Sequence, residues 1–381
     1  MRIVDLFSGA GGLTFGFYYN LIDGNFIRNE DNEILFANEF DHQAAEAFRL
    51  NYPDVNMIER DIKLLKEEEI RRLIGDNEVD VVIGGPPCQS YSTIGKRVYD
   101  DKAKLYNEYY RILNIIRPRM FLFENVTGLL SMKDENKNSI LEDIKKKFEF
   151  IADDFGYHIY PGVLDAADYG VPQHRERVFI IGVQKNLKLE WNFPEKNNTE
   201  ITLKEAISDF PIITSGQEAH DYGETVPVNE YQRLMRGDTQ ELTCHFVAEY
   251  GDKIQTIINH VIQGEGKNYI NGLVDKGILA ERYRLTSGYK NTYGRLYSDR
   301  PCTTITHNMS TPSGLRCIHY EQNRALSPRE GARIQSFPDW FRFSGNHVQI
   351  KRQIGNAVPP LLAMKLAEQI RHTLEQEDVY G

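Results

Sequence analysis

The chain has 381 residues, of which 41% are hydrophobic and 26% charged, and its net charge at pH 7 is −10. That length fits one large and one smaller domain, and a core of this size needs no disulfide or metal. The acidic balance argues against a general polyanion binder, and no apolar run approaches the ~18 residues that a membrane-spanning helix needs. No signal peptide precedes the first strand-like segment, so we expect a cytoplasmic protein.

The first half of the chain alternates strand-like and helix-like segments, a pattern typical of an α/β fold with a mainly parallel sheet. The predicted strands are residues 3–7, 34–38, 79–83, 120–123 and 177–183. The predicted helices are residues 43–52, 64–74, 104–116 and 139–150, whereas residues 18–33 are predicted to form a surface loop. Polar and glycine residues follow the strands, where open α/β sheets bind ligands.

The alternation breaks down between about residues 189 and 324, which are polar and contain short strand-like pieces such as residues 303–306. We therefore predict a catalytic domain at residues 1–188, a smaller domain at 189–325 and a returning segment at 326–381. Two helices are predicted in the last segment, at residues 329–336 and 361–374, and Pro359-Pro360 begins the second.

Basic residues outnumber acidic ones between positions 282 and 329. The basic residues are Arg282, Arg284, Lys290, Arg295, Arg300, Arg316, Arg324 and Arg329, against Asp299 and Glu321. Tyrosines between them favour a nucleic-acid surface, although a solvated basic face would have the same composition.

Residues 5–12 read DLFSGAGG, a strand that runs into a glycine turn and a helix. Glycines in such a turn let the backbone approach a nucleotide-like ligand closely. Thr14 stands where a dinucleotide fingerprint has its third glycine, so the turn alone fits either a nucleoside cofactor or a tight turn. Glu39 ends the next strand and suits ribose hydroxyls, and Asp61 could accept a hydrogen bond from an adenine amino group.

Residues 84–92 read GGPPCQSYS and place Cys88 on a proline-stiffened turn beyond an apolar strand, the position of a nucleophile. An unperturbed thiol has a pKa of ~8.5, so some thiolate is present near neutral pH. The other cysteines, Cys244, Cys302 and Cys317, form no Cys-x-x-Cys pair, so we expect free thiols and no metal site.

Three further segments carry polar groups. Apolar neighbours should raise the pKa of Glu124, which suits a general acid, although a helix cap or a solvated strand end is an alternative. Arg175 and Arg177 alternate on a strand, so their side chains should point the same way. Two guanidinium groups on one face suit a phosphate or an anionic intermediate, although an ordinary surface ion-pair ladder would have the same pattern. Residues 353–360, QIGNAVPP, resemble a glycine turn before a helix and have no chemistry of their own.

Taken in order, these segments resemble the cytosine-5 DNA methyltransferase family. The matching pieces are DLFSGAGG at 5–12, GGPPCQSYS at 84–92, ENV at 124–126, QHRER at 173–177, RALSPREGARIQSFP at 324–338 and QIGNAVPP at 353–360. The resemblance spans nearly the whole chain. It implies a Rossmann-like S-adenosylmethionine-dependent methyltransferase domain, with a smaller target-recognition domain inserted before the C-terminal helix.

The resemblance also implies residue roles. Cys88 would attack C6 of a cytosine in double-stranded DNA, Glu124 would bond to N3 and the exocyclic amine, and Asn125 would support the site. Arg177 and Arg175 would lie near the cytosine O2 and a phosphate. The cofactor would be S-adenosylmethionine, which the reaction converts to S-adenosylhomocysteine. The residues that line its pocket would be Phe7, Ser8, Gly9, Gly11, Gly12, Glu39, Phe40, Asp61, Ile62, Pro87, Leu105, Asn356 and Ala357.

A cytosine within a duplex must flip out to meet a thiol. The loop from Cys88 to about Lys104 is long enough to close over it, and base-reading groups are expected between residues 282 and 316. The chain starts at the cofactor motif without a long regulatory extension. This start is typical of a bacterial modification enzyme, which would be paired with a separate restriction endonuclease. A monomer is expected, since one active site flips one base at a time.

Three other functions fit part of the pattern. A tRNA cytosine-5 methyltransferase usually carries Cys-Phe-Thr in the target domain, whereas Cys244 is followed by His245-Phe246. A non-catalytic DNA-binding homologue should have lost Cys88, Glu124 or the glycine turn. A nicotinamide-dependent oxidoreductase would explain the glycine turn but not the Pro-Pro-Cys segment.

Overall fold

The computed structural model describes residues 1–87, 105–134, 136–152, 154–197 and 199–376. Its strands are β1 (Arg2–Leu6), β2 (Tyr19–Ile22), β3 (Asn25–Arg28), β4 (Glu33–Glu39), β5 (Met57–Glu59), β6 (Val81–Gly84), β7 (Met120–Val126), β8 (Tyr157–Asp165), β9 (Glu176–Gln184), β10 (Glu218–Asp221) and β11 (Glu241–Phe246). Seven of them form the central sheet, in the order β5-β4-β1-β6-β7-β9-β8.

The first five strands of that order are parallel, and β9 and β8 are antiparallel to their neighbours. Asp5 of β1 pairs with Ala37 of β4 on one side and with Ile83 of β6 on the other. The carboxyl ends of β1, β4, β5, β6 and β7 therefore share one edge of the sheet, where such sheets bind ligands.

Helices cover both faces of the sheet. They are α1 (Gly12–Tyr18), α2 (His42–Asn51), α3 (Glu67–Ile74), α4 (Tyr106–Ile116), α5 (Ile140–Glu149), α6 (Leu203–Ile207), α7 (Glu230–Arg236), α8 (Asp252–His260), α9 (Lys267–Asp275), α10 (Pro328–Ile334), α11 (His347–Asn356) and α12 (Pro360–Glu375). Side chains alternate along the strands, so Ile3 belongs to the hydrophobic cluster that includes residues of α1, α2 and α12, whereas Val4 belongs to the cluster that includes residues of α3, α4 and α5. The predicted Rossmann-like α/β fold is confirmed.

The predicted surface loop at residues 18–33 is wrong, because β2 and β3 form an antiparallel hairpin there. Asp23 and Gly24 occupy its two turn positions with φ angles of 48° and 74°. A two-residue hairpin turn with both φ angles positive matches the twist of the strands, and Asp-Gly is a preferred sequence for it.

Residues 189–325 do not share a single core. Leu189, Leu203 and Tyr231 belong to the same hydrophobic cluster as one face of the sheet. A separate cluster is confined to residues 257–318 and is built on α8 and α9, with Ile257, Ile270 and Ile318 fully buried. The division at residues 189 and 325 stays a prediction, and the separate cluster indicates where the smaller unit has its own core.

Two further predictions of local structure are wrong. Residues 303–306 form no strand; the adjoining Cys302 makes an isolated bridge with Gln173. Residues 353–356 are the last turn of α11 rather than a glycine turn, because Asn346 and Gln349 form a capping box that starts this helix. Among the described residues, no helix is both long enough and apolar enough to span a membrane.

Candidate active site

The glycine turn connects β1 to α1 at the ligand-binding edge of the sheet. The Ser8 amide donates to the Asn38 carbonyl at 3.0 Å, which fixes the turn against the end of β4. Gly11 has a φ of 92°, and a Cβ at this position would lie 2.3 Å from Cε2 of Tyr52. Both the left-handed conformation and the crowding require glycine here.

Glu39 closes the turn from the neighbouring strand. Its carboxylate accepts from the amides of Gly9 at 2.9 Å, Phe40 at 2.9 Å and Asp41 at 2.8 Å. Burial raises the pKa of Glu39, while these three amides oppose the shift. The adjacent Phe40 ring is 68% exposed, which leaves a flat apolar surface beside the carboxylate.

The other predicted cofactor residues lie along the same edge. Asp61 is exposed and caps a short 3-10 turn by accepting from the Lys63 amide at 3.0 Å, and Ile62 behind it is buried. A Cβ on Gly12 would lie 3.0 Å from the Ala357 Cβ, so the segment after α11 reaches the glycine turn. A ring face, a carboxylate and glycine backbone together fit a nucleoside.

Pro87 and Leu105 are both partly exposed and lie on either side of residues 88–104. Cys88 and the proposed closing loop fall outside the described residues.

The turn that leads to Cys88 lies beside Glu124 at the end of β7. A Cβ on Gly85 would lie 2.6 Å from Glu124 Oε2, so glycine makes room for this carboxylate. Asn125 Nδ2 donates to the Pro86 carbonyl at 3.3 Å and ties the proline turn to β7. The structure thus brings the Pro-Pro segment and the Glu-Asn pair together, as expected for parallel neighbours.

Glu124 pairs with Arg177, whose Nε lies 3.2 Å from Glu124 Oε1; the two side chains are only 13% and 14% exposed. Burial raises the pKa of Glu124, and the charges of Arg177 and Arg175 oppose this shift. The predicted rise of this pKa is confirmed. A carboxyl with a raised pKa beside a fixed cation can donate a proton and also tolerate its loss.

Arg175 has different partners from Arg177. It is 1% exposed, and its guanidinium donates to the carbonyls of Ile305, Gly355 and Ala357, each at 2.9 Å. Those carbonyls belong to two chain segments more than a hundred residues away. Arg175 therefore joins these two segments to the start of β9, a role that the alternation of side chains along the strand did not predict.

Three members of the basic stretch are not surface residues. Arg295, Arg324 and Arg329 are at most 5% exposed. Arg295 donates to four backbone carbonyls, and Arg324 forms a buried ion pair with Glu330 at 2.6 Å. The predicted basic surface is therefore smaller than the sequence suggested, because these guanidinium groups donate to backbone carbonyls and to a buried carboxylate. The remaining cations are Arg282, Arg284, Lys290, Arg300 and Arg316.

Two polar residues within recognised segments were assigned no role from the sequence. Gln173 is fully buried and bridges Ile305, Ile334 and Gln335. Asp5 lies beneath the glycine turn, where it bonds to the Thr14 hydroxyl and burial raises its pKa to about 8. In the sequence, the one sign of a role for Asp5 and Gln173 was that each is a polar residue at the first position of a motif.

A glycine turn that can approach a ligand closely and an acid paired with an arginine lie at one edge of a doubly covered sheet, the arrangement of a Rossmann-like methyltransferase. The model of the C-5 cytosine-specific DNA methylase family matches residues 1–372. The chain belongs to this family and is a DNA (cytosine-5) methyltransferase.

Similar proteins match over nearly their whole length. Type II methyltransferase M.AgeI of Thalassovita gelatinovora is 32% identical, with 97% of this chain and 99% of the relative covered. Type II methyltransferase M.DdeI of Desulfomicrobium norvegicum is 34% identical, with 97% and 88% covered.

Solved structures share the fold. A crystal structure described as a DNA modification methyltransferase encoded within a prophage (E. coli) is 25% identical, with a TM-score of 0.72, and 98% of this chain and 99% of that chain are covered. A mutant of Spodoptera frugiperda DNMT2 is 16% identical over 97% of this chain and 99% of its own, with a TM-score of 0.59, a likeness of fold alone.

Proposed function

We propose that this enzyme methylates C5 of a cytosine within one short duplex DNA sequence, as the modification enzyme of a restriction-modification system. The observation that carries the proposal is the Glu124 carboxyl, which is buried, paired with Arg177 and in contact with the turn that leads to Cys88. The relatives named Type II methyltransferases support the biological setting. A separate endonuclease would then cut the same sequence when it is unmethylated, and the methyltransferase would act as a monomer.

S-adenosylmethionine fits the residues at the sheet edge. The turn from Phe7 to Gly12 would approach it through backbone, Glu39 would accept from the ribose hydroxyls, and the exposed Phe40 ring would pack against the adenine. Asp61, Ile62, Pro87, Leu105, Asn356 and Ala357 would complete the pocket. When bound, the cofactor supplies an electrophilic methyl group on a sulfonium.

Cys88 would act as the nucleophile, although its position lies outside the described residues. The thiolate would form a bond to C6 of the cytosine, which makes C5 electron-rich. C5 would then gain the methyl group and lose its proton to water. Cleavage of the Cys88–C6 bond would return the thiolate and leave 5-methylcytosine.

Glu124 would assist the addition. Because burial raises its pKa, the protonated carboxyl can donate to cytosine N3 as negative charge develops on the ring. Arg177 would hold this carboxyl in place and contact the cytosine O2. Asn125 would fix the turn before Cys88 through its bond to the Pro86 carbonyl.

The target base would have to leave the duplex, because a thiol cannot reach the face of a stacked cytosine. Flipping costs a few kcal/mol of lost stacking and pairing, which contacts with the flipped base would have to offset. Closure of the loop that follows Cys88 would complete this step.

The experiment is a methyl-transfer assay with labelled S-adenosylmethionine, mixed-sequence duplex DNA and a parallel tRNA sample, followed by bisulfite sequencing. We expect 5-methylcytosine in DNA within one short sequence context. Label only in tRNA would assign the enzyme to the alternative substrate. Near-normal turnover by Cys88→Ser would contradict the covalent mechanism.

A further inference from the structure

We propose that Arg175 and Gln173 form a clamp that couples occupancy of the cofactor pocket to the conformation of residues 303–308, a segment that reads DNA. The inference rests on the proposed function, because it takes Asn356 and Ala357 as part of the cofactor pocket. Arg175 is then a positioning residue: it acts on main-chain groups of two segments.

The first half of the clamp is the guanidinium of Arg175. It donates to the Ile305 carbonyl on one side and to the carbonyls of Gly355 and Ala357 on the other, each at 2.9 Å. A guanidinium is planar and rigid, so these acceptors keep fixed positions relative to one another. The group is buried, which makes loss of any one of these bonds costly.

The second half is the amide of Gln173. Its Oε1 accepts from the Ile305 amide at 2.9 Å, and its Nε2 donates to Gln335 Oε1 at 2.6 Å. Gln335 in turn donates to the Ile354 carbonyl at 2.7 Å. Both backbone groups of Ile305 are therefore bonded to side chains that also hold the end of α11.

The two held segments also touch directly. A Cβ on Gly355 would lie 2.4 Å from the His307 amide nitrogen and 2.6 Å from the Thr306 carbonyl carbon. With no space between them, a shift of α11 must displace residues 306 and 307. Because residues 303–306 form no strand, no sheet resists that displacement.

Residues 303–308 carry side chains suited to DNA. Thr303, Thr304, His307 and Asn308 are exposed and offer both donors and acceptors, the groups that read base edges and phosphates. Thr304 Oγ1 donates to the His174 carbonyl at 2.8 Å, which brings the segment next to the strand that carries Arg177. Ordering of this segment by a ligand in the cofactor pocket would favour DNA binding when that pocket is occupied.

The test is hydrogen exchange of the full chain with and without S-adenosylhomocysteine. In the wild type, we expect the ligand to slow exchange at residues 7–12 and also at 303–309, by about fivefold or more in the second segment, the lower end of typical couplings between sites. In Arg175→Lys, protection of residues 7–12 should remain, while the effect at 303–309 falls to about onefold. Arg177→Lys, two residues away and without these carbonyl bonds, is the matched control and should keep both effects.

Gln335→Met provides a second variant of similar volume, should Arg175→Lys fail to fold, and should reduce the effect at residues 303–309 by severing the link to Ile354. Protection of residues 7–12 without any effect at 303–309 in the wild type would overturn the coupling and leave the proposed function intact. Absence of protection at residues 7–12 would overturn the cofactor site and the coupling together. A mere structural role for Arg175 would raise exchange in the variant but leave the ligand-induced change at 303–309 in place.

Discussion

The carboxyl of Glu124 is held where its protonation state can change during the reaction. Burial raises its pKa, Arg177 stabilises its anion, and Gly85 lets it approach the turn before Cys88. The sequence predicted the raised pKa from the apolar neighbours of Glu124, which proved sufficient. It could not predict which arginine forms the pair, because alternation assigns both arginines to one face.

Glu124→Gln should lower the single-turnover rate of methyl transfer by about 10²-fold or more, the usual contribution of a general acid. The amide has almost the same shape but cannot transfer a proton to cytosine N3. Rates would be measured with saturating DNA and cofactor, so that binding does not limit them. Glu176→Gln is the control, because Glu176 is exposed on β9 and should tolerate the change. Equal rates for both variants would remove Glu124 from the mechanism.

Asp5 should be protonated in the folded protein at neutral pH. It is fully buried, and burial raises its pKa from 3.8 to about 8. Between about pH 4 and pH 8, the folded state therefore keeps a proton that the unfolded state has already released. Stability from this group is therefore lost as pH rises across that window, by at most about 1.4 kcal/mol per pH unit.

Asp5→Asn replaces the neutral acid with a neutral amide of the same shape. Urea unfolding at pH 5 and pH 8 should show that the variant gains stability relative to the wild type as pH rises. Asp23→Asn, in the exposed hairpin turn, should leave the pH dependence of the wild type unchanged. A constant difference between Asp5→Asn and the wild type would mean that Asp5 does not titrate in this window.

At the scale of elements, the hairpin of β2 and β3 shows how a short turn decides local structure. Its strands are only four residues long, so periodicity gave no clear signal. The Asp23-Gly24 pair carried the information, since both residues need positive φ and few residue pairs allow it. The end of α11 was not predicted as helix because it contains Gly355, and a glycine inside a helix resembles a turn in sequence.

Gly24→Val should lower the free energy of unfolding by about 1–2 kcal/mol, the cost of the left-handed region for a branched residue. The hairpin is distant in sequence from the catalytic motifs, and we expect methyl transfer by the folded variant to stay within about twofold, too small a change for a lost catalytic contact. Urea unfolding and the transfer assay would measure the two effects.

Gly272→Ala in α9 is the control for Gly24→Val. A Cβ there would meet open space, and replacing a helical glycine should raise stability by about 0.5–1 kcal/mol. Equal effects of the two substitutions would show that the turn conformation is not what glycine provides at position 24.

At the scale of the whole molecule, five of the seven strands of the central sheet were predicted from the sequence, whereas β5, β8 and the arrangement of the region after the sheet were not. Strand–helix alternation over the first half predicted the layers, and the polar residues at strand ends predicted the ligand edge. Residues 189–325 have no such period, because their order depends on buried side chains that bond to backbone groups. Arg175 and Arg295 donate to the carbonyls of Ile305 and Val261, and Gln173 accepts from the Ile305 amide.

A buried histidine, His319, links the stability of the protein to pH. His319 is 2% exposed, and its Nδ1 accepts from the amides of Glu321 and Gln322, each at 3.0 Å. Burial lowers its pKa from 6.5 to about 3, with Arg324, Arg295 and His245 adding to the shift and Glu330 opposing it. The ring is therefore neutral in the folded protein, while the unfolded chain binds a proton below about pH 6.5.

Because the unfolded state binds more protons, His319 should make stability fall as pH drops from about 6.5 toward 3. His319→Asn keeps an acceptor for the two amides and removes the titration. The difference in urea midpoint between wild type and variant should shift in favour of the variant at pH 5 compared with pH 7.5. Asn259→Ala, at the exposed end of α8, replaces a group that does not titrate and is the control, which should show no such shift. If the difference for His319→Asn were the same at both pH values, the His319 ring would have to be solvated or already protonated in the folded protein. The region around the Arg324–Glu330 ion pair would then be more open than the burial of these side chains indicates.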